Sequence, residues 1–205
     1  MKQLTLTLLL YLTTISCFGQ KEHLEPVRDF SQYEGILKDY YGTVFPKLYE
    51  GFSQTPYARY TSMPSFFKEY AFSVETIGGK HYIISNSLSE NFWYAKKRKK
   101  VKLISNKTEI GDALYSKIGE LFQLLIRQTK KPEEELIGLD GVTYYFSTVD
   151  ETSEIKTGET WSPDRNSLLD RLVQICDNLF SIGNGGNISQ IGISKEIETL
   201  IKDLK

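Results

Sequence analysis

The sequence predicts an α+β fold: one antiparallel sheet built from three β-hairpins, with two main amphipathic helices packed on one face, plus a short N-terminal helix and a short C-terminal helix. Three observations carry this. β-rich runs come in pairs around turn residues, two long segments repeat apolar residues at helical spacing, and the elements follow the order hairpin, hairpin, helix, hairpin, helix. With 205 residues, of which 40% are apolar and 13% aromatic, burial can offset chain entropy and a folded body is expected. The text divides into an export segment (1–19), an aromatic-rich arm with a short helix (20–65), an α+β core (66–183), and a Gly-rich joint with a last helix (184–205).

The clearest hairpin is "AFSVETIGGKHYIISNSL", whose Gly78-Gly79 pair suits the positive φ of a tight primed turn and sets Val74 opposite Ile83 and Thr76 opposite His81. "WYAKKRKKVKLI" fits a second, in which the run 91–95 returns as 100–104 through a cationic loop, 96–99. Pairing Ala95 with Lys100 places Trp93, Lys100 and Lys102 on one face, because side chains alternate along strands. The third joins "VTYYFSTV" to "EIKTGETW" across Asp150 to Ser153.

From about Glu109 to Thr129 the period becomes helical, with Leu114, Ile118, Leu121, Phe122, Leu125 and Ile126 on one stripe. Acidic Glu109 and Asp112 fall in its first turn, and Lys130, Lys131 and Pro132 at its end. Ser162-Pro163 reads as the start of the next helix, whose stripe includes Leu172, Cys176 and Leu179 and which Gly183 stops. After the joint "GNGGN", Ser194 begins a short last helix. Near the N-terminus, Ser31 and Glu34 have capping-box spacing ahead of Ile36, Leu37, Tyr40 and Tyr41, with Gly42 as the stop. The following stretch to Pro64, rich in aromatics and broken by Pro46, Gly51 and Pro56, reads as irregular chain lying on the body.

Met1-Lys2, the Leu-rich run 4–15, and small Ser16, Cys17 and Gly19 read as an export signal cleaved after Gly19. Cys17 offers an alternative, lipid anchoring, since "TISC" matches part of the bacterial lipoprotein box, with Thr14 where that pattern usually has Leu. The apolar run is shorter than the ~20 residues a membrane span needs, and no integral span is expected. Once the signal is removed, Cys176 is the one cysteine left, so the fold stands without an internal disulfide. It falls on an apolar helical stripe and reads as a buried hydrophobe.

A formal net charge of -1 gives no general attraction to nucleic acid or anionic lipid; any such attraction must be local. With only His23 and His81 available, a hydrolase-type nucleophile–base pair would depend on His81, which reads instead as an ordinary strand residue. Zinc, calcium and phosphate-loop motifs are absent, and no cofactor is implied. Two readings follow. The first is a non-catalytic binding protein of the cell envelope or exterior, holding an unknown protein or polymer through an aromatic and basic face with Trp93, Lys100 and Lys102. The alternative is a small secreted hydrolase acting on a sugar or wall polymer through two of the carboxylates near the third hairpin: Asp140, Asp150, Glu151, Glu154 and Glu159.

Overall fold

The computed structural model describes residues 22–131 and 140–205; the expected export segment with Cys17, and the helix-stopping Pro132, lie outside the described residues. Its strands are β1 (Glu25–Pro26), β2 (Ala58–Pro64), β3 (Tyr70–Ile77), β4 (Lys80–Leu88), β5 (Leu103–Ile110), β6 (Val142–Val149) and β7 (Ile155–Trp161). Its helices are α1 (Gly35–Leu48), α2 (Asp112–Arg127), α3 (Leu168–Gly183) and α4 (Gln190–Leu204). The strands form one antiparallel sheet in the order β1-β7-β6-β2-β3-β4-β5, so the chain is α+β as the sequence predicts.

The first and third hairpins have the expected strands. Val74 faces Ile83 and Thr76 faces His81, across a turn in which Gly78 and Gly79 both take positive φ. β6 and β7 pair from Thr143 opposite Trp161 to Val149 opposite Ile155.

The second hairpin differs. The edge of β4 is filled by β5, from Leu88 opposite Leu103 to His81 opposite Ile110, which leaves 91–95 no strand to join. Residues 92–94 form a turn and Arg98–Lys100 a single 3-10 turn. The buried Glu69 carboxylate takes the Phe92 backbone N–H that a ladder would need. The expected face shared by Trp93, Lys100 and Lys102 is therefore not formed.

The segment 45–64 is also not irregular throughout. It ends in β2, which lies between β3 and β6 with all seven residues buried, so the arm 20–65 supplies a central strand of the sheet. "ARYTSMP" lacks polar alternation because both of its faces are covered.

Helix boundaries shift for identifiable reasons. α1 continues through Gly42 and Pro46, held by buried Tyr40, Val44 and Leu48; its N-cap, Glu34, makes no side-chain cap bond. Glu109 belongs to β5, where it pairs with Lys80 at 2.9 Å. α3 is capped by Ser167, whose Oγ accepts the Asp170 N–H at 3.0 Å, while Ser162 sits in the left-handed region just beyond β7. α4 starts at a Ser189 cap and, at 15 residues, is a full member of the helical layer rather than a short appendage.

α2, α3 and α4 cover one face of the sheet, over a core that includes Tyr60, Phe72, Phe122 and Phe146. Cys176 lies in this core and is fully buried. The opposite face carries a second cluster, in which Tyr40, Val44 and Leu48 of α1 meet Met63, Leu88 and Tyr145 of the sheet, and Phe92 and Val101 of the β4–β5 connection. That second face holds the candidate site.

Candidate functional site: an aromatic cleft under the first helix

Strand register builds the floor of the cleft. Thr61, Tyr145 and Glu159 form one cross-strand row, and Met63, Thr143 and Trp161 the next, all on the face away from α2, α3 and α4. Leu37, Tyr40 and Tyr41 project from α1 as one wall, and Trp93 and Tyr94 from the β4–β5 connection line another. The cleft has a volume of about 490 Å³, within the size range of small-molecule sites. Phe30 packs against two of the lining rings, with centroids 5.0 Å from Tyr41 and 5.9 Å from Tyr145, and Tyr33 stacks on Tyr41 at 5.4 Å.

Trp93 is fixed by polar groups that the sequence does not connect to it. Glu69, buried at the start of the first hairpin, accepts the Tyr40 hydroxyl at 2.8 Å and the Phe92 N–H at 3.0 Å. These bonds join α1 to the loop and set the Trp93 ring edge-on to Tyr40, 5.2 Å between centroids. Arg98 turns back to donate to the Trp93 carbonyl at 3.2 Å, with its guanidinium 5.7 Å from the Trp93 ring and 5.6 Å from Phe92. The cation covering the tryptophan is thus Arg98, not Lys100 or Lys102. Lys100 ends the 3-10 turn and Lys102 precedes β5, both exposed.

One carboxylate lies deep in this cleft. Glu159 is 6% exposed and faces Arg28, whose Nε is 3.5 Å from its Oε1. Desolvation raises the Glu159 pKa above the ordinary glutamate value, and the Arg28 backbone N–H and charge partly offset the rise. Burial likewise raises the Tyr41 and Tyr145 hydroxyls, which stay protonated donors. Asp140 also lines the cleft, whereas Asp150, Glu151 and Glu154 stand at the β6–β7 turn in exposed ion pairs with Lys156 and Arg127. Asp150 accepts the Thr152 hydroxyl and the backbone N–H groups of Thr152 and Glu154, the work of a turn former; these bonds lower its pKa.

His81 is a strand residue stacked on Tyr115 at 3.6 Å, with Nδ1 3.0 Å from Thr76 Oγ1. Among the described residues, no group of three His, Cys, Asp or Glu side chains is placed to hold a metal ion, and no helix is long and apolar enough to cross a membrane. Arg28, Tyr41 and Tyr145 are cleft residues that sequence reasoning missed. The two-residue spacing of Thr143 and Tyr145, matched by Glu159 and Trp161 in the paired strand, is the signal that places four of the floor residues together. No protein-family model, curated protein or solved structure matches the chain, so the chemistry of the cleft alone carries the functional reading.

Proposed function

We propose that this is an exported, non-catalytic binding protein of the cell envelope or exterior, and that its aromatic cleft holds a sugar-containing polymer. The observation that carries the reading is the convergence of Trp93, Trp161 and several tyrosines on one cleft with an ion pair, Arg28–Glu159, in its lining. Flat aromatic faces cover the C–H face of a sugar ring, while tyrosine hydroxyls, a carboxylate and a guanidinium match its hydroxyls. Trp161 is 39% exposed, so its ring is available to a ligand without rearrangement. The test is co-sedimentation with insoluble wall polysaccharide. Trp93→Ala is expected to weaken retention about thirtyfold, the scale of an aromatic hot spot; unchanged retention would remove Trp93 from the site.

A second reading is favoured by one observation. Glu159 and Asp140 line the same cleft, and Glu159 has the raised pKa of a general acid. On that reading the protein is a small secreted hydrolase. Release of new reducing ends from the polysaccharide, abolished in both Glu159→Gln and Asp140→Asn, would establish it in place of simple binding.

A further inference from the structure

We propose that the end of the molecule beside the cleft mouth docks on an anionic lipid surface, with Phe66 and Phe67 inserting among the lipids and the lysines of the β4–β5 connection contacting headgroups. Phe66 is 57% and Phe67 75% exposed, two neighbouring phenylalanines that the fold leaves in water. They are held there. The Asn91 side-chain amide donates to the Phe67 carbonyl at 2.6 Å, its Oδ1 accepts the Tyr94 N–H at 3.1 Å, and the Phe66 ring stacks on the exposed Tyr94 ring at 6.2 Å.

The same contacts bring the cations to this end. Lys96 and Lys97 follow Tyr94 by two and three residues, within roughly 11 Å of chain reach, and the return of Arg98 onto Trp93 makes them the tip of a closed turn. Lys68, Lys96, Lys97, Lys99, Lys100 and Lys102 are exposed and form no ion pair among the described residues. Across residues 89–102 the exposed acid is Glu90 alone. The whole chain is slightly acidic, so this is a local basic surface, not a general one.

A soluble polyanion would be served by the lysines and would have no use for two protruding phenylalanines. A bilayer uses both, since aromatic side chains settle at the headgroup level while lysines meet anionic lipid. Tyr94 belongs to the patch and to the cleft wall alike, so docking would bring the cleft mouth to the membrane surface.

The test is vesicle co-sedimentation of the chain from Gln20 onward, which carries every element described above. Expected is binding to vesicles of phosphatidylcholine and phosphatidylglycerol in equal parts, weak binding to pure phosphatidylcholine, and weakening with added salt. Lys96→Gln with Lys97→Gln should cost about thirtyfold, roughly fivefold per charge. Phe66→Ser with Phe67→Ser should cost about tenfold or more, while leaving the melting temperature and heparin retention unchanged, because neither ring lies in the core. Equal binding to both kinds of vesicle would overturn the proposal. So would unimpaired vesicle binding by the double serine variant; with heparin competing, that result would mark a site for soluble polyanions instead. Wall-polysaccharide binding by the cleft, measured without lipid, is read separately.

Discussion

Tyr40 donates its hydroxyl to the buried carboxylate of Glu69 at 2.8 Å, and through that bond α1 is tied to the loop that carries Trp93. Both partners are shielded, with Glu69 fully buried and Tyr40 7% exposed. A hydrogen bond to a charged group in such a place contributes about 1.5–3 kcal/mol. Tyr40→Phe is therefore expected to lower unfolding stability in urea by that amount. In a Trp161→Phe background, the emission of Trp93 should also shift to the red as its wall loosens. An unchanged midpoint and spectrum would mean that Glu69 does not position the loop.

Glu159 sets a pH dependence with a definite sign. Its folded pKa is raised by desolvation, so between the ordinary value of 4.5 and the raised one the native state binds more protons than the unfolded state. The stabilisation of the protonated form is fully present below 4.5 and is lost as pH rises through the folded value. Glu159→Gln removes this contribution. Denaturation of the two proteins across pH should give a stability difference that changes through that window in favour of the variant, then levels off at higher pH. A difference constant from pH 4 to 8 would contradict a buried, titrating Glu159.

The helical face offers a packing test. A Cβ built on Gly119 in α2 would lie 2.0 Å from the Tyr57 hydroxyl oxygen, and Tyr57 is itself stacked on Tyr115 at 4.0 Å. Alanine gains about 1 kcal/mol in helix propensity over glycine, but overpacking of this kind costs about 1–3 kcal/mol. The clash with a ring already held in a stack should win. Gly119→Ala is expected to lower the melting temperature, and a rise would show that Tyr57 is free to move aside.

What could be read from the sequence was local chemistry: the Gly78-Gly79 turn, the β6–β7 pairing, and the apolar stripes of α2 and α3 each declare themselves within some twenty residues. β2 did not, because a strand covered on both faces shows no alternation, and it follows a stretch whose aromatics, Pro46, Gly51 and Pro56 resemble loop text. The run from Trp93 to Lys102 misled for a related reason. Its alternation fits a strand, but β5 already occupies the β4 edge and Glu69 takes the Phe92 N–H, and both are facts of tertiary structure. The cleft combines residues from 28 to 161. Trp93 stands out in the sequence beside the cationic run, whereas Arg28 and Tyr41 acquire meaning only once α1 lies over the sheet.

The central claim, that the aromatic cleft binds a sugar polymer, is tested most directly by titration calorimetry with soluble oligosaccharides released from wall polysaccharide. Wild-type protein, Trp93→Ala and Trp161→Ala should be compared with a control altered away from the cleft, Ile191→Ser, at a site 72% exposed on α4. Expected is saturable binding by the wild type and the control, and a loss of about tenfold or more in each tryptophan variant. Equal affinities in all four proteins, or no saturable heat in any, would contradict it.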